Sequence, residues 1–239
     1  MELLTWTPVA FYKKLFPRNK EGKTFIPANV FKEAFTSAVI YYYIKKDREI
    51  EHRVKNYLLK KGLKPEEIID RIKEIIFEKY GVLQEIELPE KIFIDEKDLY
   101  ETRAVIFDLK NWEDVAEFEI EVFKGKVEVP IKTPHLEKLK AACHSYCEAL
   151  ANMEKKMLKD HPLAESFYLP LTDSIKKWEI PLRMGMWTDL RFKGHLFFFW
   201  RVKEVREKLF EELKTDIRPT KIIYLPKENA TAGWCELSI

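Results

Sequence analysis

Along the first third of the chain, apolar residues recur every three or four positions. Val30, Phe31, Ala34, Phe35, Ala38 and Tyr42 fall at helical spacing, the mark of a helix with one buried face. Pro27 stands just before them, where a first turn tolerates proline. Residues 47–61 predict a second helix ended by Gly62, and Pro65 to Lys79 a third stopped at Tyr80-Gly81. A short strand over residues 3–9 precedes all three.

The middle of the chain changes period. In KIFID, TRAVIFDL and VAEFEIEVFKGKVEVP the apolar positions alternate, Ala116, Phe118, Ile120 and Val122 against Val115, Glu117, Glu119 and Glu121, as in half-buried strands. Lys124-Gly125-Lys126 predicts a hairpin turn. A long helix follows from Pro134 to about Lys159, then LRMGMW, a helix over FFFWRVKEVREKLFEELK, and two closing strands, TKIIYLP and GWCELSI. Helices and strands in this order, with antiparallel pieces, predict an α+β fold.

Composition narrows the class. A chain of 239 residues, 46% hydrophobic and 13% aromatic, fits one large domain or two small ones. Its 42 basic and 40 acidic side chains leave a net charge of +2, so any basic surface is local. With 34% charged residues and Gln84 the single glutamine, the usage resembles that of a thermophile. The densest apolar run, Leu196 to Trp200, is five residues long and cannot span a bilayer. With no basic, apolar leader at Met1 and three cysteines that cannot all pair, the expectation is a cytoplasmic protein.

Candidate chemistry concentrates in LRMGMWTDLRFKGH, residues 182–195. Two of only 7 glycines, Gly185 and Gly194, bracket Trp187, Arg191, Phe192 and Lys193, with Arg183 just before them. Glycines let a backbone approach a phosphate, cations supply charge and an aromatic ring stacks on an unpaired base. The plainer reading makes the glycines turn residues and the cations solvated. Lys32 lies in the first turns of the helix after Pro27, where free amides favour an anion. Cys143, His144, Cys147 and Cys235 are candidate zinc ligands, but Cys143 and Cys147 are in phase with Leu136, Leu139 and Leu150, which favours packing. No metal or other cofactor is expected. His195 and His52 are the candidate acid and base of an RNA-cleaving site.

These segments carry a resemblance. TWTPVAFYKK, FIPANVFKEAF, LRMGMWTDLRFKGH and RPTK with GWCEL, in that order, resemble motifs of the RAMP superfamily of CRISPR-associated proteins. The likeness is strongest to the Csm-five-type subunit of type III-A effector complexes, of which this chain resembles a divergent, shortened member. The resemblance rests on Pro27 and Lys32, on Leu182, Arg183 and Gly185, and on Thr220, Gly233, Trp234 and Leu237. Ala28 and Glu33 stand where the family's helix-entry motif has glycines.

The resemblance implies two ferredoxin-like (RRM-like) units, over residues 1–132 and 133–239, with a helical insertion at about 47–79 in the first. It implies a non-catalytic subunit that binds the 3′ region of guide RNA beside other effector subunits and assists its maturation in antiviral defence. Lys32, Arg183, Gly185, Trp187, Arg191, Lys193 and Gly194 would contact the RNA, and the terminal strand would pair near Arg183. Two alternatives stay open: a metal-independent endoribonuclease of the same superfamily acting on CRISPR precursor RNA, and a purely structural interaction subunit.

Overall fold

The computed structural model describes residues 1–11, 15–185, 193–214, 217 and 220–239. In chain order the elements are β1 (Glu2–Thr5), β2 (Val9–Ala10), β3 (Phe25–Pro27), α1 (Ala28–Lys46), α2 (Arg48–Leu58), α3 (Pro65–Phe77), β4 (Lys91–Phe93), β5 (Leu99–Asp108), β6 (Glu113–Phe123) and β7 (Lys126–Glu128). Then come α4 (Leu136–Met157), α5 (Leu169–Ile175), β8 (Ile180–Arg183), α6 (Lys193–Leu196), α7 (Lys203–Leu213), β9 (Lys221–Leu225), β10 (Ala230–Thr231) and β11 (Trp234–Ser238).

The helical boundaries follow local chemistry. Pro27, at φ −66°, sets the entry to α1. Asp47 ends α1 and caps α2, its carboxylate accepting from the amides of Glu49 and Ile50, the satisfaction of free first-turn donors that an N-cap provides. Glu49 and Glu51 add negative charge to the first turn of α2. The chain turns after α2 at Gly62, φ +73°.

Strands form a four-stranded sheet in the order β7-β1-β11-β8, a five-stranded sheet β10-β9-β5-β6-β2 and a ribbon β3-β4. Among the described residues every strand pairing is antiparallel. The protein is an α+β fold of curled antiparallel sheets packed with helices. α1 is its central helix: Phe31, Phe35, Ile40 and Ile44 are fully buried, each such side chain contributing about 1.5–3 kcal/mol. α4 packs along α1, where Tyr41 meets Tyr146 and stacks on Phe197 at 4.9 Å. The helices predicted between residues 47 and 79 are α2 and α3, packed outside α1.

Four details depart from the sequence pattern. The boundary expected between residues 132 and 133 does not separate the sheets: each draws strands from both sides of it. Lys124-Gly125 is not a hairpin turn. β6 belongs to the five-stranded sheet and β7 pairs with β1 in the other, so the chain changes sheets there. Gly125 is tied to Thr5, its amide donating to Thr5 Oγ1 at 2.8 Å, and an added Cβ would meet Asp98 Oδ2 at 2.4 Å. Glu121, placed by alternation on the polar side, is buried and accepts from the Phe16 amide at 2.7 Å and from Arg18 at 2.6 Å. The helix predicted from Phe197 onward is interrupted: a 3-10 turn over Phe197–Arg201 gives way at Val202, φ −90° and ψ 97°, to α7.

Candidate nucleic-acid interface

The stretch containing Arg183 and Gly185 leaves the four-stranded sheet where three chain segments cross. β11 pairs with β8 in the register Trp234↔Arg183 and Cys235↔Leu182. Beside that pair, the Met184 amide donates to Gly233 O at 2.8 Å, the Gly233 amide to Pro8 O at 2.8 Å, and the Thr7 amide to Trp234 O at 3.0 Å. Gly185 sits at φ +73°, and a Cβ there would lie 2.3 Å from Ala10 O. Gly233 sits at φ +92°, where a Cβ would lie 2.1 Å from Met184 O. Both glycines are therefore required by protein backbone passing protein backbone.

Arg183 is also turned inward. Its side chain is fully buried, its guanidinium carbon 4.2 Å from the Trp234 ring centroid, with Nη1 donating to Thr231 Oγ1 at 3.3 Å and 3.8 Å from Glu154 Oε2. Trp234 Nε1 donates to the same Thr231 oxygen at 3.0 Å, and Tyr168 OH donates to Glu154 Oε2 at 2.9 Å. Burial holds the Glu154 carboxyl above the ordinary carboxylate range, against the opposing pull of Arg183 and the Tyr168 hydrogen bond. Arg183, one of the residues expected to touch RNA, is in this geometry a charge sealed in the interior with its own carboxylate, whereas a phosphate contact calls for a cation at the surface.

From residue 193 onward, the described chain packs on α1. His195 in α6 is half-buried, its Nε2 3.2 Å from Ser37 Oγ, which also donates to Glu33 O at 3.0 Å. Lys32 is exposed, five residues before Ser37, about 7.5 Å along the helix axis. The first amide of α1 donates to Glu90 O at 3.0 Å, and its N-cap supplies no side-chain bond. α6 thus packs on the middle of α1, at Ser37, while Lys32 stands nearer the helix entry. Lys193 and Gly194 are the first two residues of that helix. Trp187 and Arg191 lie outside the described residues.

The remaining candidates are dispersed. His52 is exposed on α2 with Asn56 Nδ2 2.9 Å from its Nε2, on a different element from His195. Cys143, Cys147 and Cys235 are all buried, and burial pushes each thiol up. Cys147 Sγ donates to Pro181 O at 3.4 Å, packing α4 onto β8. Among the described residues no group of three His, Cys, Asp or Glu side chains is placed to hold a metal. No described helix is long and apolar enough to cross a membrane. Sequence reasoning missed Glu154, Tyr168 and Thr231, which hold Arg183; only Glu154 carried a signal, a carboxylate in phase with Cys143, Cys147 and Leu150 on the apolar face of α4.

A protein of Aquifex aeolicus (strain VF5), described only as uncharacterized, is 41% identical over 239 residues, 99% of this chain and 98% of the relative. The chain belongs to that protein's family. No protein-family model matches it. Two solved structures share its fold. One is a chain of the Csm–crRNA–target RNA ternary complex of a type III-A CRISPR-Cas system, with TM-score 0.61, 12% identity and coverage of 92% of this chain and 74% of the other. The other is Csm5 of T. onnurineus, with TM-score 0.54, 12% identity and coverage of 92% and 72%. The fold of this chain is thus similar to that of these Csm chains.

Proposed function

We propose that this protein is a non-catalytic RNA-binding subunit of a type III CRISPR effector complex, contacting the 3′ region of the guide RNA and assisting its maturation and antiviral defence. The observation that supports this is the likeness in fold to Csm chains over 92% of its length, one of them from a complex with RNA. The contact surface runs from the N-terminal end of α1 to α6, which packs at Ser37. There Lys32 is exposed beside a helix entry that lacks a side-chain cap, and Trp187, Arg191 and Lys193 are the further residues assigned to the contact.

Titration of the purified chain with single-stranded guide-repeat RNA at several salt concentrations tests this reading. Lys32→Ala and Lys193→Ala are each expected to reduce the slope of log affinity against log salt by roughly 0.7, the contribution of one phosphate neutralised on a single strand. Arg183→Ala, folded or refolded, is expected to leave the slope unchanged. No measurable RNA binding would favour a purely structural interaction subunit. Cleavage of the RNA without metal, lost in His195→Ala or His52→Ala, would favour the endoribonuclease.

A further inference from the structure

At the far end of α1, a pocket of about 400 Å³ opens where that helix meets α2, α4 and the residues after α3. Its size is that of a small-ligand site. Lys46, Arg48 and Lys138 line it together with Tyr42, Tyr80 and Asp47. The one carboxylate is already engaged: Asp47 accepts from Tyr80 OH at 2.7 Å, pairs with Lys79 at 2.9 Å and caps α2. The Tyr80 hydrogen bond, then Lys79, holds its carboxyl well below the usual range. Glu49 is likewise taken by Lys79 at 2.7 Å, and Glu137 faces Lys140 at 3.6 Å.

The three cations have no such acid. Among the described ion pairs none includes Lys46, Arg48 or Lys138, and Lys46 meets the hydroxyl and ring of Tyr42, with Nζ 4.8 Å from the ring centroid. Arg48 and Lys138 stand in the first turns of α2 and α4, where the helix macrodipole disfavours a cation. Their placement therefore works against local helix stability and concentrates uncompensated positive charge on one pocket. Tyr80 adds a flat ring fixed in place, stacked on Tyr43 at 3.9 Å and 17° and anchored through its hydroxyl.

We propose that this pocket binds a nucleotide phosphate, the phosphate held by Lys46, Arg48 and Lys138 and the base or ribose against Tyr42 and Tyr80. It is separate from the α1–α6 surface: Lys32 and Lys46 are 14 residues apart on one helix, about 21 Å. The ligand is either a free mononucleotide or the phosphorylated end of a strand, which share this chemistry.

Calorimetric titration of the full chain with adenosine 5′-monophosphate, adenosine and inorganic phosphate tests the proposal. The monophosphate is expected to bind at least about tenfold more tightly than either part alone, and the Arg48→Ala/Lys138→Ala double variant, with unchanged melting, to lose at least about tenfold. Lys32→Ala should leave this binding intact, which keeps the result distinct from the RNA titration above. A short oligonucleotide that displaces the monophosphate only when it carries a terminal phosphate identifies a strand end as the ligand; failure of both oligonucleotides to displace it identifies the free nucleotide. Absence of binding, equal affinity for monophosphate and inorganic phosphate, or an unaffected double variant would overturn the proposal.

Discussion

Arg183 over Trp234 and Lys46 over Tyr42 are the same pairing in chemical terms, a cation against an aromatic face, 4.2 and 4.8 Å from the ring centroid. They differ in their surroundings. Arg183 is sealed from water with Glu154 and Thr231, on elements that close over it from α4, β10 and β11. Lys46 stands at a helix end in an open pocket beside two further cations, and the nearby carboxylates are committed to Lys79. Burial with an internal acid turns a cation into part of the core; exposure without one leaves its charge available to a ligand.

Removing residues 233–239 should have the largest effect. It deletes β11 from between β1 and β8 and takes Trp234 from over Arg183. The cooperative thermal transition seen by circular dichroism should disappear, since the loss exceeds the margin of a typical domain. Unchanged melting would show that the buried pair is dispensable. Next, Glu154→Ala should destabilise by about 3–5 kcal/mol in denaturant titration by leaving a buried guanidinium without its carboxylate, whereas Arg183→Met with Glu154→Gln should recover part of that.

The same carboxyl predicts a pH dependence. Its affinity for a proton is higher in the folded than in the unfolded state, so stability should fall as pH rises from the ordinary carboxylate value through the raised one. Glu154→Gln should remove that decline, and a wild-type minus variant difference that is flat from about pH 4 to pH 8 would contradict it. Gly185→Ala should cost more than the 1–2 kcal/mol of a left-handed conformation alone, because its Cβ also meets Ala10 O. Gly22→Ala, at φ +81° with nothing within 4 Å, should cost only that conformational term. The smallest change belongs to the open pocket: Arg48→Ala should shift stability by no more than about 0.5 kcal/mol. A loss of several kcal/mol would mean that Arg48 is as structural as Arg183.

Local signals carried much of the fold. Pro27, Asp47 and Pro65 mark helix starts through their own backbone and capping chemistry, and α1, α2 and α3 begin where those residues place them. The alternation in GWCELSI marks a strand, and that strand pairs with the one holding Arg183. Alternation does not reveal which sheet a strand joins, so Lys124-Gly125 reads as a hairpin although the chain changes sheets there. Nor does it reveal a partner far along the chain: Trp234 shares the polar side of its strand pattern with Glu236 and Ser238 yet is fully buried. Arg183 reads as a phosphate ligand because Glu154 approaches it only in three dimensions. The run YYYIKKDRE signals tyrosines beside cations, but Tyr80 and Lys138 join them only through the packing of α3 and α4.

The adjacency of β1 and β11 bears on how the molecule assembles. Ser238 Oγ donates to Glu2 O at 3.4 Å across 236 residues, and every rung of that ladder joins the two ends of the sequence. Closing so long a loop before it is rewarded by contacts is entropically costly and slows folding. The four-stranded sheet is therefore expected to close late, after α1 and α4 have met, and the crossing at Gly185 and Gly233 to close with it. Pulse-labelled amide exchange during refolding would register this as protection of Leu3 and Leu237 after that of Phe35 and Ile40; simultaneous protection would refute the order. A slow final step of this kind leaves the β1 and β8 edges unpaired for the longest time, and they are the surfaces on which a folding chain of this family is most exposed to misassociation with another copy.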